Sequence, residues 1–399
     1  MFDMISEKMY ELGSKRSVIR EIFEYGNQRK KEVGAENVYD FSLGNPSVPA
    51  PESVDQAIRE ILDTEDPMAI HSYTSAQGSE ECRVAMADSI NQRFGTSFSA
   101  DNFYMTVGAA ASISICFKAL ANEGDEFLTF APFFPEYQCF VEAAGGKLVV
   151  VPAKEDDFQI DFEAFDRLCT EKTKAIIVNS PNNPSGTVYT EETVKRLAAV
   201  LEQKQQQYGH TIYLISDEPY REIVYDGYKV PFLTKYYKNT LICYSFSKAL
   251  SLPGERIGYV IVPDEVNEAK KVYAAVCGAG RALGYVCAPA LFQKVVAKCA
   301  YEVSDLSVYE KNRDLLYNGL IELGFSCVKP KGAFYLFPKA LEESAEQFCE
   351  KAKKYDLLLV PGTGFGCPSH VRISYCVTTE QIEKSLQAFK KLAKEYGKI

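Results

Sequence analysis

The stretch Cys243-Tyr244-Ser245-Phe246-Ser247-Lys248-Ala249-Leu250-Ser251-Leu252-Pro253-Gly254-Glu255-Arg256-Ile257-Gly258 decides how the rest of the chain is read. Its first residues complete the apolar run Leu241-Ile242-Cys243-Tyr244, which has the length and character of a buried strand. The pattern then turns small and polar and presents Lys248. Arg256 follows, and Ile257 to Val262 return to an apolar run. A lysine at the end of a buried strand loses hydration, which disfavours its charge and makes the amine nucleophilic near neutral pH. Ser245 and Ser247 offer two hydroxyl donors and Arg256 a planar cation, the groups that hold a phosphate dianion.

A nucleophilic lysine beside a phosphate site suggests pyridoxal phosphate, bound to Lys248 as a Schiff base. A surface lysine in a serine-rich turn is the plainer alternative, and the rest of the chain discriminates between them. The spacing Ser-x-Ser-Lys-x7-Arg-x-Gly resembles the cofactor-lysine segment of the class I and II aminotransferases, pyridoxal-phosphate enzymes of fold type I that include aspartate aminotransferase.

Composition narrows the class. The 399 residues are 46% apolar and 25% charged, as in an ordinary globular protein. A net charge of -10 argues against a nucleic-acid partner. The 12 cysteines are scattered without a CxxC pair, which in a chain of this length points to a reducing, cytoplasmic setting. The opening Met1 to Lys8 lacks the basic and apolar regions of a signal peptide, and no apolar run approaches the ~18 residues of a membrane span. His71, His210 and His370 share no metal-ligand spacing with one another or with the cysteines, so no metal site is expected.

Along the chain, 3–33 reads as helical segments. Gly44-Asn45-Pro46 then breaks a short strand. The resemblance lays Gly44 against the substrate carboxylate; a plain domain-entry turn is the alternative. In His71 to Gly78, Tyr73 matches the tyrosine that reaches the phosphate site of a neighbouring subunit, although a lone tyrosine is more often a packing residue. A helix is expected over 79–94. The strand-like Tyr104 to Val107 runs into Gly108-Ala109-Ala110, where another helix begins. Such a turn points free N–H groups and the helix dipole at an anion. By the resemblance, Gly108, Ala109 and Ala110 cradle the cofactor phosphate. With alanines in that turn, side-chain contacts fall to Ser245, Ser247 and Arg256.

Ala131-Pro132-Phe133-Phe134-Pro135 ends the next strand. The resemblance places Phe134, or less readily Phe133, on the pyridine face, where a flat apolar ring suits a flat cofactor; core packing is the alternative. Ile176-Ile177-Val178-Asn179-Ser180-Pro181-Asn182-Asn183-Pro184-Ser185-Gly186 carries the specific signal Asn-x-Pro-x-Asn-Pro-x-Gly. There Asn183 is implied to donate to the cofactor's phenolic oxygen and to lie near substrate, and a cis Asn183–Pro184 bond is expected. A crossover helix over 190–208 precedes Ile212 to Ser216 and then Asp217-Glu218-Pro219-Tyr220. This strand ending in Asp-Glu-x-Tyr resembles the same family, and the resemblance implies that Asp217 pairs with the pyridine nitrogen and keeps it protonated, making the ring an electron sink. Tyr220 would donate to the same phenolic oxygen. An N-cap role is the alternative for Asp217.

Strand 259–262 is expected to run antiparallel or at an edge. The glycine-rich 278–284 stretch follows no clear strand, which weakens a nucleotide-binding reading. Within it, Arg281 matches, with one inserted residue, the arginine that binds a distal substrate carboxylate; a surface or interface arginine is the alternative. Helices are expected within 291–322 and strands at 333–337, 357–360 and 370–375. Arg372, in Val-Arg-Ile-Ser, matches the arginine that grips the substrate α-carboxylate with a bidentate fork.

Apolar strands alternating with helices predict a three-layer α/β/α large domain with a mainly parallel sheet over 47–289. Ligand loops should lie at its strand ends. A smaller α+β domain is expected from 1–46 and 290–399. The resemblance implies a ping-pong aminotransferase acting on amino acids and 2-oxo acids, with Lys248, Asp217 and Tyr220 catalytic. Arg281 would suit aspartate or glutamate, with 2-oxoglutarate as acceptor. Through Tyr73 it implies a homodimer with shared sites. A carbon–sulfur β-lyase on the same fold is the nearest alternative. A non-catalytic pyridoxal-phosphate regulator is more remote, since no DNA-binding domain is visible.

Overall fold

The main sheet orders its strands Phe103–Thr106, Gly258–Ile261, Thr240–Ser245, Tyr213–Asp217, Thr173–Asn179, Glu126–Phe130 and Lys147–Val151. In this computed structural model, which describes residues 5–14 and 18–399, the strands from Thr240–Ser245 to Lys147–Val151 run parallel. Gly258–Ile261 lies inside the sheet, antiparallel to both neighbours. Of the helical segments expected over 3–33, Glu7–Ser14 and Val18–Val33 are helices, while 3–4 and 15–17 lie outside the described residues.

Alternation along the strands builds the layers. Leu128, Ile176, Leu214 and Thr240 share one row across the sheet. Leu128, Ile176 and Leu214 bury against Phe165 and Leu197 of the helices Phe162–Leu168 and Glu191–Tyr208. Two positions past Thr240 on the same face, Ile242 and then Tyr244 join a core fed by Glu52–Thr64, Glu80–Phe94 and Ala290–Lys298. On the opposite face, Phe127 and Cys243 meet Phe117 and Cys116 of the helix Ala109–Leu120. Helices on both faces of a mainly parallel sheet are the expected α/β/α sandwich.

The chain divides into two compact units. The larger takes Pro46–Val308 and Pro330–Ala333; the smaller takes Met1–Asn45, Tyr309–Lys329 and Phe334–Ile399. Ala290–Lys298, expected at the start of the small domain, groups with the larger unit because Val295 and Val296 complete its helical core. The glycine-rich 278–284 stretch is no strand-to-helix turn: it belongs to the end of the helix Ala269–Ala282 and the turn after it.

In the smaller unit, Val360–Pro361, Val371–Ser374 and Tyr335–Leu336 form an antiparallel sheet. Leu357–Leu358 pairs instead with Tyr39–Asp40. The apolar run 357–360 is therefore shared between two sheets, which is why single strands expected from it come out shorter. Phe41, Phe325, Phe348 and Phe389 cluster as a ring core, with centroids 6.1 Å apart for Phe41–Phe389, Phe325–Phe348 and Phe325–Phe389. Among the described residues no helix is long and apolar enough to cross a membrane.

Candidate active site

Three neighbouring strands bring Gly108, Ser245, Ser247 and Arg256 together at one end of the main sheet. Thr106, Gly258 and Ser245 are in register across adjacent strands. A Cβ on Gly258 would fall 2.3 Å from the Tyr244 carbonyl and 3.1 Å from the Gly108 Cα, so only glycine lets these strands close. Gly108, at φ 94°, then opens the helix Ala109–Leu120. Its first N–H groups have no acceptor within the helix.

A Cβ on Gly108 would lie 2.5 Å from Arg256 Nη2, so the guanidinium lies directly over this turn. Arg256 Nη1 donates to Ser247 Oγ at 3.4 Å and to the Pro253 carbonyl at 3.1 Å. The Ser245 and Ser247 hydroxyls are 2.7 Å apart, and Ser245 Oγ caps the short helix Phe246–Ala249 by accepting from Ser247 N–H at 3.2 Å. Backbone N–H groups, two hydroxyls and a cation thus converge on one small volume, which fits a phosphate dianion. Lys248 follows on that turn and is half-buried rather than fully buried.

Asp217 ends its strand and is 4% exposed. Its Oδ2 accepts from the Tyr137 hydroxyl at 2.5 Å and from Asn179 Nδ2 at 3.4 Å. Its Oδ1 is buried with no hydrogen-bond partner among the described residues. Burial pushes the carboxyl from 3.8 up to about 7; the Tyr137 bond opposes this and nearby Glu218 adds to it. A buried acceptor without a donor is costly and calls for a partner. A protonated ring nitrogen is such a donor, so this position fits a pyridinium.

The Asn183 turn is tied to the same carboxylate. Asn179 Nδ2 donates to the Asp217 carbonyl at 2.9 Å, while Asn179 Oδ1 accepts from Asn183 N–H at 2.8 Å. Asn182 Nδ2 donates to the Pro132 carbonyl at 3.1 Å, joining this turn to the one that carries Phe134. The Asn183–Pro184 bond is cis, as expected; Ala131–Pro132 and Ser180–Pro181 are cis as well. Phe134 is half-buried and meets Tyr137 edge-on at 5.6 Å, whereas Phe133 is buried. Tyr220 is buried, three residues beyond Asp217.

The family model for aminotransferase class I and II matches residues 36–389. The chain belongs to the class I and II aminotransferases. It is 30% identical over 392 residues to aromatic-amino-acid aminotransferase 2 of Thermococcus litoralis, covering 95% of this chain and 96% of that protein. It is 32% identical over 358 residues to the aspartate/prephenate aminotransferase of Thermus thermophilus, covering 88% and 89%. The crystal structure of an amino transferase from Eubacterium rectale is similar with a TM-score of 0.97 and 60% identity, covering 98% of this chain and 99% of that one. The chain is therefore an enzyme of pyridoxal-phosphate-dependent transamination.

Within the larger unit, two of its predicted site residues are not drawn into this buried group. Tyr73 is 87% exposed, and Arg281 is exposed in the last turn of Ala269–Ala282. In the smaller unit, Arg372 is 3% exposed and its Nη2 donates to the Ser42 carbonyl. Its guanidinium carbon stands 5.0 Å from the Tyr335 ring centroid and 5.1 Å from that of Phe365. Gly44 lies against the Tyr335 hydroxyl.

Tyr137 and Asn179 receive no role in the sequence reading, although Asn179 opens the Asn-x-Pro-x-Asn-Pro-x-Gly motif, yet they hold Asp217. Tyr137→Phe removes one of the donors on Oδ2 and leaves the ring packing. We expect kcat of the aminotransferase to fall about 10-fold, in the range of lost supports to a liganding group. The acidic limb of its pH–rate profile should move up, because the Tyr137 bond favours the carboxylate. An unchanged profile would separate Tyr137 from the chemistry.

Proposed function

We propose that the cradle of Gly108, Ala109, Ala110, Ser245, Ser247 and Arg256 holds the phosphate of pyridoxal phosphate, and that Lys248 binds the cofactor covalently. The observation that carries this is Asp217: a buried carboxylate with one oxygen held by Tyr137 and Asn179 and the other without a donor. Bound there, the cofactor supplies an electron sink for the pair left at the substrate Cα. Asp217 Oδ1 would accept from the ring nitrogen, Asn183 and Tyr220 would serve the phenolic oxygen, and Phe134 would cover the ring face. Lys248 Nζ would take the proton from the substrate Cα and hold it for redelivery, as general base and then acid. Arg372 holds the α-carboxylate, with Gly44 beside it.

The exchange is ping-pong: an amino acid leaves its amino group and departs as a 2-oxo acid, and a second 2-oxo acid takes the group away. Aspartate and glutamate are the proposed donors and 2-oxoglutarate the acceptor, with Arg281 for the distal carboxylate. Aromatic donors are the second reading, favoured by the name of the Thermococcus litoralis relative. The carbon–sulfur lyase alternative draws no support from the relatives, which are named for transamination.

A single-turnover panel of amino acids tests this, reading the loss of the lysine-bound cofactor's absorbance. Fast conversion by aspartate or glutamate supports the dicarboxylic reading. Conversion by phenylalanine or tyrosine alone removes the Arg281 role. No conversion by any amino acid, with pyruvate released from cystathionine, would overturn transamination.

A homodimer in the cytoplasm is proposed as well, with Tyr73 reaching the partner's phosphate site. Its high exposure in one chain and the 12 free thiols support this. A solution mass equal to the 44.6 kDa chain would remove the shared site.

A further inference from the structure

The turn that carries Asp217 and Tyr220 also sends charged side chains into the core. Glu218 is 2% exposed and Arg221 4%. Glu218 Oε1 accepts from Ser216 Oγ at 2.5 Å, and its Oε2 accepts from Arg221 Nε at 2.5 Å. Arg221 Nη1 donates to the Tyr259 hydroxyl at 3.3 Å. The Arg221 guanidinium carbon stands 4.5 Å from the Tyr244 ring centroid and 5.5 Å from those of Phe94 and Phe232. Beside it, Glu222 accepts from Arg93 at 2.7 Å and from the Tyr244 hydroxyl at 2.8 Å.

The partners come from segments that matter. Tyr244 immediately precedes Ser245 and the Lys248 turn, and its ring stacks on Tyr259 at 4.9 Å. Tyr259 lies in the strand that follows Arg256. Arg93 and Phe94 end the helix Glu80–Phe94. A buried guanidinium that is both hydrogen-bonded and stacked fixes distance and tilt together, which a lysine cannot do.

We propose that Arg221 is a positioning residue for transamination: joined to Glu218 and packed on Tyr244 and Tyr259, it sets the turn bearing Asp217 and Tyr220 against the Lys248 strand end and the Arg256 strand. This rests on the site assignment above. The competing view is that the Arg221–Glu218 pair serves the fold alone.

The two views separate in the holoenzyme. Arg221→Met alone leaves Glu218 as an unpaired buried charge and endangers folding. The double variant Glu218→Gln/Arg221→Met removes both charges and spares the fold. We expect it to unfold close to the parent temperature. We also expect kcat to fall about 10- to 100-fold, as for a site displaced by a fraction of an ångström, with KM changed less than about threefold. The pH midpoint of the lysine-bound cofactor's absorbance should move, because the spacing of Asp217 and Tyr220 from Lys248 has changed. Arg221→Lys keeps the charge but loses the fork, and should move kcat and the midpoint in the same direction.

A double variant with the parent's kcat and midpoint overturns the proposal. If the double variant does not fold, parental values in Arg221→Lys overturn it instead. A parent protein whose absorbance band survives Lys248→Ala shows a failed site assignment, and the proposal falls with it. A band that needs Lys248 but is indifferent to Arg221 defeats the proposal alone.

Discussion

Lys248→Ala is expected to lower turnover by at least about 10⁴-fold, the upper range for losing a positioned acid–base group, and to abolish the absorbance of the lysine-bound cofactor. The substitution removes the only proposed proton carrier at Cα. It leaves the cradle intact, because the contacts among Ser245, Ser247 and Arg256 do not pass through the lysine side chain. Lys248 is half-buried on a one-turn helix, so alanine, a good helix former, should be tolerated there. Retention of the thermal midpoint together with loss of both signals is the expected result. Retained turnover would remove Lys248 from the mechanism.

Asp217→Asn is expected to act in opposite directions on activity and on stability. An amide cannot hold the ring nitrogen protonated, so kcat should fall by about 10²- to 10³-fold, the range for losing a preorganised electrostatic partner. In the cofactor-free chain the carboxylate itself is a burden. Its folded value of about 7 exceeds the ordinary 3.8, chiefly through burial. Between these values the folded chain binds more protons than the unfolded chain, so stability falls as pH rises through that window and levels off above it. At 1.36 kcal/mol per unit the whole displacement is at most about 4 kcal/mol. The amide carries no such charge, so above pH ~7 the cofactor-free variant should unfold at higher denaturant than the parent, and below pH ~4 the difference should vanish. Denaturant midpoints across this range check the sign. A variant less stable than the parent at high pH would show that the carboxylate is supported by groups other than Tyr137 and Asn179.

The two substitutions probe residues of different legibility. Lys248, Ser245, Ser247 and Arg256 occupy one continuous stretch, so their residue types suggest a phosphate beside an amine, and the motifs elsewhere in the chain add weight to that reading. Asp217 is legible because it closes an apolar run at a place where parallel sheets expose their ends, and Asn183 because it stands in the Asn-Pro turn four residues after such a strand. Tyr137 is different. It is the second residue of the helix Glu136–Ala144, 80 positions from Asp217, and nothing local distinguishes it from a packing residue. Arg221 and Glu222 look like a solvated charged pair, yet they enter a core built from Phe94, Phe232, Tyr244 and Tyr259.

From the sequence by itself came the class of sheet, the order of the motifs and the side-chain types offered at the proposed phosphate cradle. Those follow from hydrophobic period, turn chemistry and side-chain type, all of which are local. Only the tertiary structure decided that Gly258–Ile261 runs antiparallel inside the sheet, that Ala290–Lys298 joins the larger unit, and that the second oxygen of Asp217 is left without a donor. Strand neighbours, helix docking and the burial of a carboxylate are settled between residues far apart in the chain, by which surfaces exclude water together.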